Sequence, residues 1–476
     1  MQWILPQMAR NAPPKFPAWW LWLLLPLVCV AFAGLVLLFT WPIDRGFANL
    51  RFWFWLLAAP LLTAAALALF YLSHLLHQCR EIAWRHLFLD RKKAHWMTQG
   101  RRSLKLAAWH LVTPQPELML RILGLSGTVP ESPAITLRLP VDSTDRLGES
   151  PLRQGLLTLL EPLQPALKTL PVVDIWLSAA AHPEEACHQA LVQTWHALLG
   201  RPLSANRIHW LPQPADARLL DQWCDTPSDI PRLLLCLHQI ADETKATEFN
   251  AALLFMPPNQ HLPEQLPFRP VSVFRPLVMP QSTPEKKFTA LLDVQQLPPG
   301  HRRHLWDSGL DARARNTLMS TLDMHGDPLP ASGQHLLPTL VGEEGPQGFV
   351  LALALAAEAT DTGQQGQMVL APLDEQIACV QLSLRPADTV PSPADTLSRY
   401  PLAWLVGSAC LLTLFGLLPT PSIRLALWPW LLGGFTLYAL LLALVVPLAL
   451  KLWQHQLNDE WQQNEEWITA EKAPNE

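Results

Sequence analysis

The sequence predicts an α/β domain inserted between two transmembrane helical hairpins. Three observations carry this prediction. Both ends of the chain hold long apolar segments free of charged residues, 19–40 and 52–75 at one end, 402–418 and 427–450 at the other. Between them, residues 111–398 hold short apolar runs rich in β-branched residues, alternating with stretches of helical periodicity, the pattern of strands joined by helical crossovers. The whole chain is also poor in charge: 16% of its 476 residues are charged and 50% are hydrophobic, where an average soluble domain carries about 25% charged residues.

Residues 1–76 form the first predicted hairpin. Segments 19–40 and 52–75 each exceed the roughly 20 residues a helix needs to cross the hydrocarbon core. The short link between them carries Asp44, Arg45 and Arg51. A cleaved signal peptide suits the first segment poorly, because it is long and Trp-rich and a second apolar segment follows directly. Residues 399–451 form the second hairpin; its segment 402–418 is near the lower length limit and 427–450 is ample. Trp19, Trp20, Trp41, Trp53, Trp55, Trp404, Trp428 and Trp430 cluster at the segment ends, as an interfacial aromatic belt does.

Residues 77–110 are a basic juxtamembrane segment. Between His77 and Lys105, eight basic residues face Glu81 and Asp90, a local charge of +6. By the positive-inside rule the termini and the central region then lie in the cytoplasm, and the compact hairpins fit a bacterial inner membrane. No segment contains Asp, Glu, Lys or Arg, which ion and proton pathways usually require; the hairpins read as an anchor. Residues 452–476 are an acidic tail, with six carboxylates against Lys472. Trp453, Leu457 and Trp461 recur every four residues, an amphipathic helix. Candidate interaction residues are therefore Arg91, Lys92, Lys93, Arg101 and Arg102 on the basic segment and Trp453, Leu457 and Trp461 on the tail. The basic segment either meets anionic lipid or only sets topology. The tail either docks on basic surface or stays solvated.

The central region 111–398 is long enough for one large domain or two smaller ones. Candidate strands are 134–139, 172–178, 207–211, 232–238, 251–256, 272–277, 289–294, 367–371 and 378–384. Candidate helices are 152–170, broken by Pro162 and Pro165; 182–199, ended by Gly200; 216–223; 311–324; and 345–360. The last is Ala-rich and apolar nearly all round, so it is expected to be buried. No internal repeat is evident.

Residues 335–386 run from His335 through Gly342-Glu-Glu-Gly345-Pro-Gln-Gly348, an Ala-rich helix, a strand, Pro372-Leu-Asp374 and a final strand. This region resembles the last third of a thiolase or β-ketoacyl-synthase domain, where a glycine-rich turn opens a buried helix and two antiparallel strands follow. Residues 248–255 are similar to the strand that ends the first half of such folds. The resemblance implies a layered α/β fold, a catalytic His in a G-H-x-x-G-A-A-G turn and a nucleophilic Cys at a strand-to-helix elbow. The sequence departs from it at those positions. Matching the turn on Gly345–Gly348 puts Gly342 where the His belongs and Leu337 where a Lys belongs. Cys236 lies in an apolar strand, Cys187 inside a helix, and Cys224 precedes Asp225. The domain is expected to be thiolase-like and degenerate.

Other chemistry is sparse. The seven cysteines are widely spaced without C-x-x-C, which suits a reducing compartment and excludes a zinc ribbon. Gly124-Leu-Ser126-Gly127 lacks the spacing of a nucleophile elbow. His301-Arg302-Arg303-His304 reads as a charged loop, and Glu343-Glu344 precede a helix N-terminus. No catalytic, cofactor-binding or metal residue is expected, and no cofactor. The expected partners are the lipid bilayer and one or more cytoplasmic proteins; nucleic acid is not, at a net charge of −5. The sequence leaves any small-molecule ligand open. It thus reads as a non-enzymatic inner-membrane scaffold or adaptor, similar in layout to accessory inner-membrane proteins of bacterial type VI secretion clusters. The alternative is a membrane-anchored enzyme of acyl or lipid metabolism with the thiolase-like fold.

Overall fold

The protein is seen here as a computed structural model that describes residues 18–42, 50–133, 136–139, 150–179, 181–239, 247–257, 268–342, 345–364, 366–391 and 451–464, with isolated positions elsewhere. The chain divides into two compact units, Leu5–Ala94 with Pro391–Glu476 and Met1–Ile4 with His95–Val390.

In the first of these, helix α1 (Trp19–Thr40) has a mean hydropathy of 2.7 in its most apolar window and buries none of its residues. It is the one helix among the described residues long and apolar enough to cross a membrane; a signal sequence near an N-terminus meets the same criterion. The predicted second span is helical, but a π turn at Phe54–Ala58 separates Leu50–Trp53 from helix α2 (Ala59–Gly100). The apolar stretch there, Phe54–Ala65, is shorter than a span. So the two predicted hairpins reduce, within the described residues, to one candidate span and a shorter apolar helix. Segment 402–418 lies outside the described residues, as does all but a few positions of 427–450. The two N-terminal helices nonetheless run antiparallel. The rings of Trp22 and Tyr71 are 6.2 Å apart, those of Trp41 and Phe52 5.2 Å apart, and a Cβ on Gly34 would sit 3.5 Å from Leu56.

The other unit is built on one mixed sheet. Its strands are β1 (Ser103–Val112), β2 (Asp174–Ala179), β3 (Ile208–Trp210), β4 (Arg232–His238), β5 (Phe249–Met256), β6 (Val271–Phe274), β7 (Leu277–Pro280), β8 (Arg302–Asp307), β9 (Gln334–Leu336), β10 (Gly366–Leu373) and β11 (Gln376–Ser383). They lie in the order β3-β2-β4-β5-β1-β6-β11-β10-β8-β9, with β7 beside β11. This order contains the same pattern twice. In the first half, β2 is parallel to β3 and β4, and β5 runs antiparallel between β4 and β1. In the second, β8 is parallel to β9 and β10, and β11 runs antiparallel between β10 and β6. Taking each half's strands in chain order as one to five, with β7 as an extra, both read 3-2-4-5-1. The halves join through β1 and β6, which pair antiparallel. The sequence showed no repeat because the halves share topology and not residues.

Helices fill matching places in each half. α3 (Pro151–Leu160) and α6 (Glu285–Val294) precede the second strand, α4 (Glu184–Leu199) and α7 (Ala312–Met324) the third, and α5 (Ala217–Asp225) and α8 (Gly348–Asp361) the fourth. Local chemistry sets their ends. Ser150 accepts from the Arg153 N–H with Pro151 in the first turn. Asp216 accepts from the N–H groups of Arg218 and Leu219. Gly200 closes α4 at φ 67°, a left-handed conformation suited to glycine. Pro162 and Pro165 break the predicted helix 152–170 into α3, a 3-10 turn and a short helix Gln164–Thr169.

The core follows strand alternation. On β5, Phe249, Ala251, Leu253 and Phe255 face one apolar cluster, and Ala252, Leu254 and Met256 face the other. α8 lies in the first cluster, together with side chains of β1, β4, β5, β6, β10 and β11. Twelve of its fourteen residues are buried, Glu358 and Asp361 excepted. The glycine-rich turn, buried helix and antiparallel pair β10–β11 have the form the resemblance implies. The unit is a layered, thiolase-like α/β fold.

Several sequence expectations are corrected. Residues 289–294 belong to helix α6, not to a strand; of segment 134–139 the described residues 136–139 contribute an isolated bridge between Leu137 and Thr247, and 134–135 lie outside the described residues. Segment 272–277 is split between β6 and β7. Strand β1 occupies a central place in the sheet, although most of it falls in the stretch read as juxtamembrane. The supposed loop 301–304 leads into strand β8.

Because α8 packs against strands of both halves, Leu353→Ala is expected to cost about 2–5 kcal/mol. Unfolding of the full-length protein in detergent, followed by tryptophan fluorescence, measures this.

Candidate functional site

In this fold the chemistry that the resemblance implies would sit where a strand-to-helix turn opens on an inner helix. The turn before α5 reads Pro214-Ala215-Asp216, and the turn before α8 runs from Gly342 to Gly348. Neither carries Cys or His. Glu343 and Glu344 lie outside the described residues. At the start of α8 the polar groups bond to one another. The Cys236 thiol on β4 donates to Gln347 Oε1 at 2.8 Å, and Gln347 Nε2 donates to Ser178 Oγ on β2 at 3.4 Å. All three residues are buried. Nearby, Thr247 Oγ1 donates to the Val341 carbonyl at 2.8 Å. Gln347 thus fills the space at the helix end and satisfies the groups around it, as buried polar atoms require.

Three further thiols of this unit, Cys187, Cys224 and Cys379, are not activated. Burial pushes Cys187 up to about 11, and Cys224 and Cys379 up to about 12. A thiol held that high is not a nucleophile at neutral pH. Ser126 Oγ donates to the Glu117 carboxylate at 2.8 Å, without a histidine. His74 bonds Gln78 within its own helix. Among the described residues no group of three His, Cys, Asp or Glu is placed to hold a metal ion.

Sequence reasoning missed one cluster of titratable groups. His304 on β8 and His335 on β9 are hydrogen-bonded, Nδ1 to Nε2, at 3.0 Å. The His304 Nε2 meets Gln364 Oε1 at 3.2 Å, and His335 stacks on Trp306 at 4.6 Å. Burial and then the neighbouring His304 push His335 down to about 4. His304 is lowered by burial, with Gln364 opposing and Arg303 adding to the shift. A bond between two ring nitrogens needs one to donate and one to accept, so at least one ring is neutral. Only the three-dimensional pairing of β8 with β9 brings them together; their separation in sequence is 31 residues.

The predicted interaction residues fall in both units. In the first unit the tail helix, residues 451–464, buries Leu457 and Trp461 and half-buries Trp453. Trp461 meets Phe88 of α2 edge-on at 6.2 Å. Lys92 Nζ lies 5.4 Å from the Phe88 ring and 5.5 Å from the Trp461 ring, and Arg85 pairs with Glu460 at 3.4 Å. Arg91 and Lys93 lie along the same helix. Arg101 and Arg102 belong to the other unit. Arg101 donates to the carbonyls of Val294 and Asp388 at 2.8 Å each. Arg102 donates to the Cys224 carbonyl at 3.3 Å and lies 3.9 Å from Asp225.

No protein-family profile matches the chain, and no curated protein matches it. Solved structures with similarity to it include three condensing enzymes. One is a type II polyketide ketosynthase in complex with its acyl-carrier protein, at 9% identity and a TM-score of 0.40, covering 60% of this chain and 100% of that one. Another is an oxazolomycin ketosynthase domain from Streptomyces albus, at 10% and 0.41, covering 62% and 98%. The third is 3-oxoacyl-[acyl-carrier-protein] synthase III from Aquifex aeolicus, at 10% and 0.36, covering 59% and 99%. Likenesses this distant add nothing to the assignment, which rests on the duplicated strand order and the buried helix.

Two outcomes are expected from this geometry. Folding holds His335 neutral, with its folded value below the ordinary 6.5. Its contribution is therefore complete above pH 6.5 and is lost as pH falls toward 4, by up to about 3 kcal/mol. Unfolding midpoints between pH 4 and 7 should fall with acid, and His335→Gln should flatten that dependence. In the other unit, burying Trp461 contributes about 1.5–3 kcal/mol, against about 0–1 for the exposed Arg85–Glu460 pair. Trp461→Ala should speed limited proteolysis of the tail more than Glu460→Gln.

Proposed function

We propose that the protein is a non-enzymatic, membrane-anchored scaffold or adaptor whose thiolase-like domain binds another protein. One observation carries this reading. Both turns that open on the inner helices lack Cys and His, and at α8 the buried Ser178, Cys236 and Gln347 are hydrogen-bonded to one another. A condensing enzyme needs an activated thiol and a partner base within about 3 Å of each other. Here burial holds the Cys187, Cys224 and Cys379 thiols protonated, and the Cys236 thiol donates to an amide oxygen.

The anchor is the N-terminal helix pair, joined in this proposal by the C-terminal apolar segments to give four spans in a bacterial inner membrane. The central domain and both termini then face the cytoplasm. The layout is similar to accessory inner-membrane proteins of type VI secretion clusters, and a secretion machine is the kind of assembly such an adaptor would serve.

Two experiments test the proposal. Cytoplasm-active reporter fusions at residues 110, 250 and 476 should be active, and periplasm-active ones should work only near residues 45 and 422. Periplasmic activity at 250 would reverse the topology. Separately, the full-length protein in detergent should neither load nor turn over acyl-CoA. Turnover abolished by a Cys→Ala change would replace the scaffold by the acyl-transfer alternative. Crosslinking in native membranes should capture a discrete protein partner through the α/β domain.

A further inference from the structure

A second location in the α/β unit has the chemistry of a ligand site. A cleft of about 470 Å³ opens beside the C-terminal end of α8, where β8 and β10 begin and β11 ends. It is distant from the Gln347 cluster. α8 separates the two, and a helix of 14 residues spans about 20 Å. The cleft therefore lies at the opposite strand ends from the turns that would carry condensing chemistry, and it does not depend on the scaffold reading.

Its walls are mostly polar, and their charge is unbalanced. Arg101, His301 and Arg385 line it together with one carboxylate, Asp388. The Arg101 guanidinium is fixed by two backbone carbonyls, Val294 O and Asp388 O, and among the described residues it forms no ion pair. Its burial lowers its pKa and the Asp388 charge raises it, but an arginine stays charged in proteins. The result is an oriented, partly desolvated cation whose charge the surrounding hydrogen bonds do not neutralise. Arg385 is exposed.

A buried amide braces the floor. Gln296 is wholly buried, and its Nε2 donates to the carbonyls of Gly100 at 2.7 Å and Arg275 at 3.0 Å. That fixes which end of the amide is which. Its Oε1 has no partner among the described residues. That oxygen is closed to solvent, so the amide braces the floor between Gly100 and Arg275 and does not itself face a ligand. Gly366 makes the floor this close: a Cβ there would lie 2.7 Å from Leu297 and 3.0 Å from the His301 carbonyl.

We propose that this cleft binds a phosphate ester group, with Arg101 and Arg385 on the phosphate. Two arginines with fork geometry suit a phosphate better than a point-charge lysine pair would. The same chemistry occurs in soluble phosphorylated metabolites and in the headgroup of a glycerophospholipid.

The test uses full-length protein and two probes. Glycerol 3-phosphate is titrated into protein in a neutral detergent, with glycerol as the control, and binding is read by calorimetry and by the shift in unfolding temperature. Nanodiscs of phosphatidylglycerol are compared with nanodiscs of phosphatidylcholine by the same shift. Arg385→Glu and His301→Ala change exposed residues, and circular dichroism confirms that both variants fold. Glycerol 3-phosphate should bind and glycerol should not, with affinity falling about tenfold or more in Arg385→Glu. A response to phosphatidylglycerol alone, lost in the same variant, assigns the phosphate to a lipid headgroup. Absence of any phosphate response, or one that Arg385→Glu does not change, overturns the proposal.

Discussion

The burial of α8 is the constraint on which the rest of the α/β unit depends. A helix of Ala and Leu with almost no polar face cannot stand at a surface. It needs apolar sheet surface from both halves of the domain, and the duplicated strand order supplies it. The small side chains Ala352, Ala354, Ala356, Ala357 and Ala359 let the strands approach, while Leu351, Leu353 and Leu355 fill the space between them. The outer helices α3 and α4 then cover the opposite face of the first half through Leu156, Leu159, Leu191 and Trp195.

A buried cation secures the shorter inner helix. Arg275, between β6 and β7, is fully buried and bonds Asp221 at 2.7 Å and Asp225 at 2.5 Å, both on α5. The two carboxylates remain partly exposed. Such an arrangement stabilises less than its short distances imply, because the guanidinium has left water. Its value lies in direction: it holds the C-terminal half of α5 against the junction of the two halves, in the same region where Arg102 approaches Asp225. Arg302 and Asp327 form a comparable buried pair under β8, and Asp327 also accepts from the Gly300 N–H.

Much of this was legible in the sequence, and what was not has physical causes. The buried helix, α4 with its Gly200 terminus and strands β4, β5, β10 and β11 carry period and end signals strong enough to read directly. Strand β1 was hidden because Arg101, Arg102 and Lys105 mark it as part of a basic stretch; its burial comes from β5 and β6, far along the chain. Residues 289–294 are an apolar run too short for periodicity to decide, and three residues of first-turn polarity, Glu285, Lys286 and Lys287, belong to the helix that contains them. Strand β8 looked like a charged loop because the partners of Arg302 and His304 lie 25 and 31 residues away. At the site, the missing Cys and His could be seen by eye. The bonded group of Ser178, Cys236 and Gln347 could not, since three elements separated by up to 169 residues meet there.

The position of β1 in the sheet has a consequence for synthesis. This strand leaves the ribosome soon after the N-terminal apolar helices, yet both of its neighbours, β5 and β6, are encoded some 140 to 170 residues later. At about 5–20 residues per second, it waits for many seconds with Leu106 and Trp109 uncovered. During that interval the nascent chain presents an unpaired apolar strand. Translation therefore runs ahead of folding here, and chaperones have a defined window in which to act.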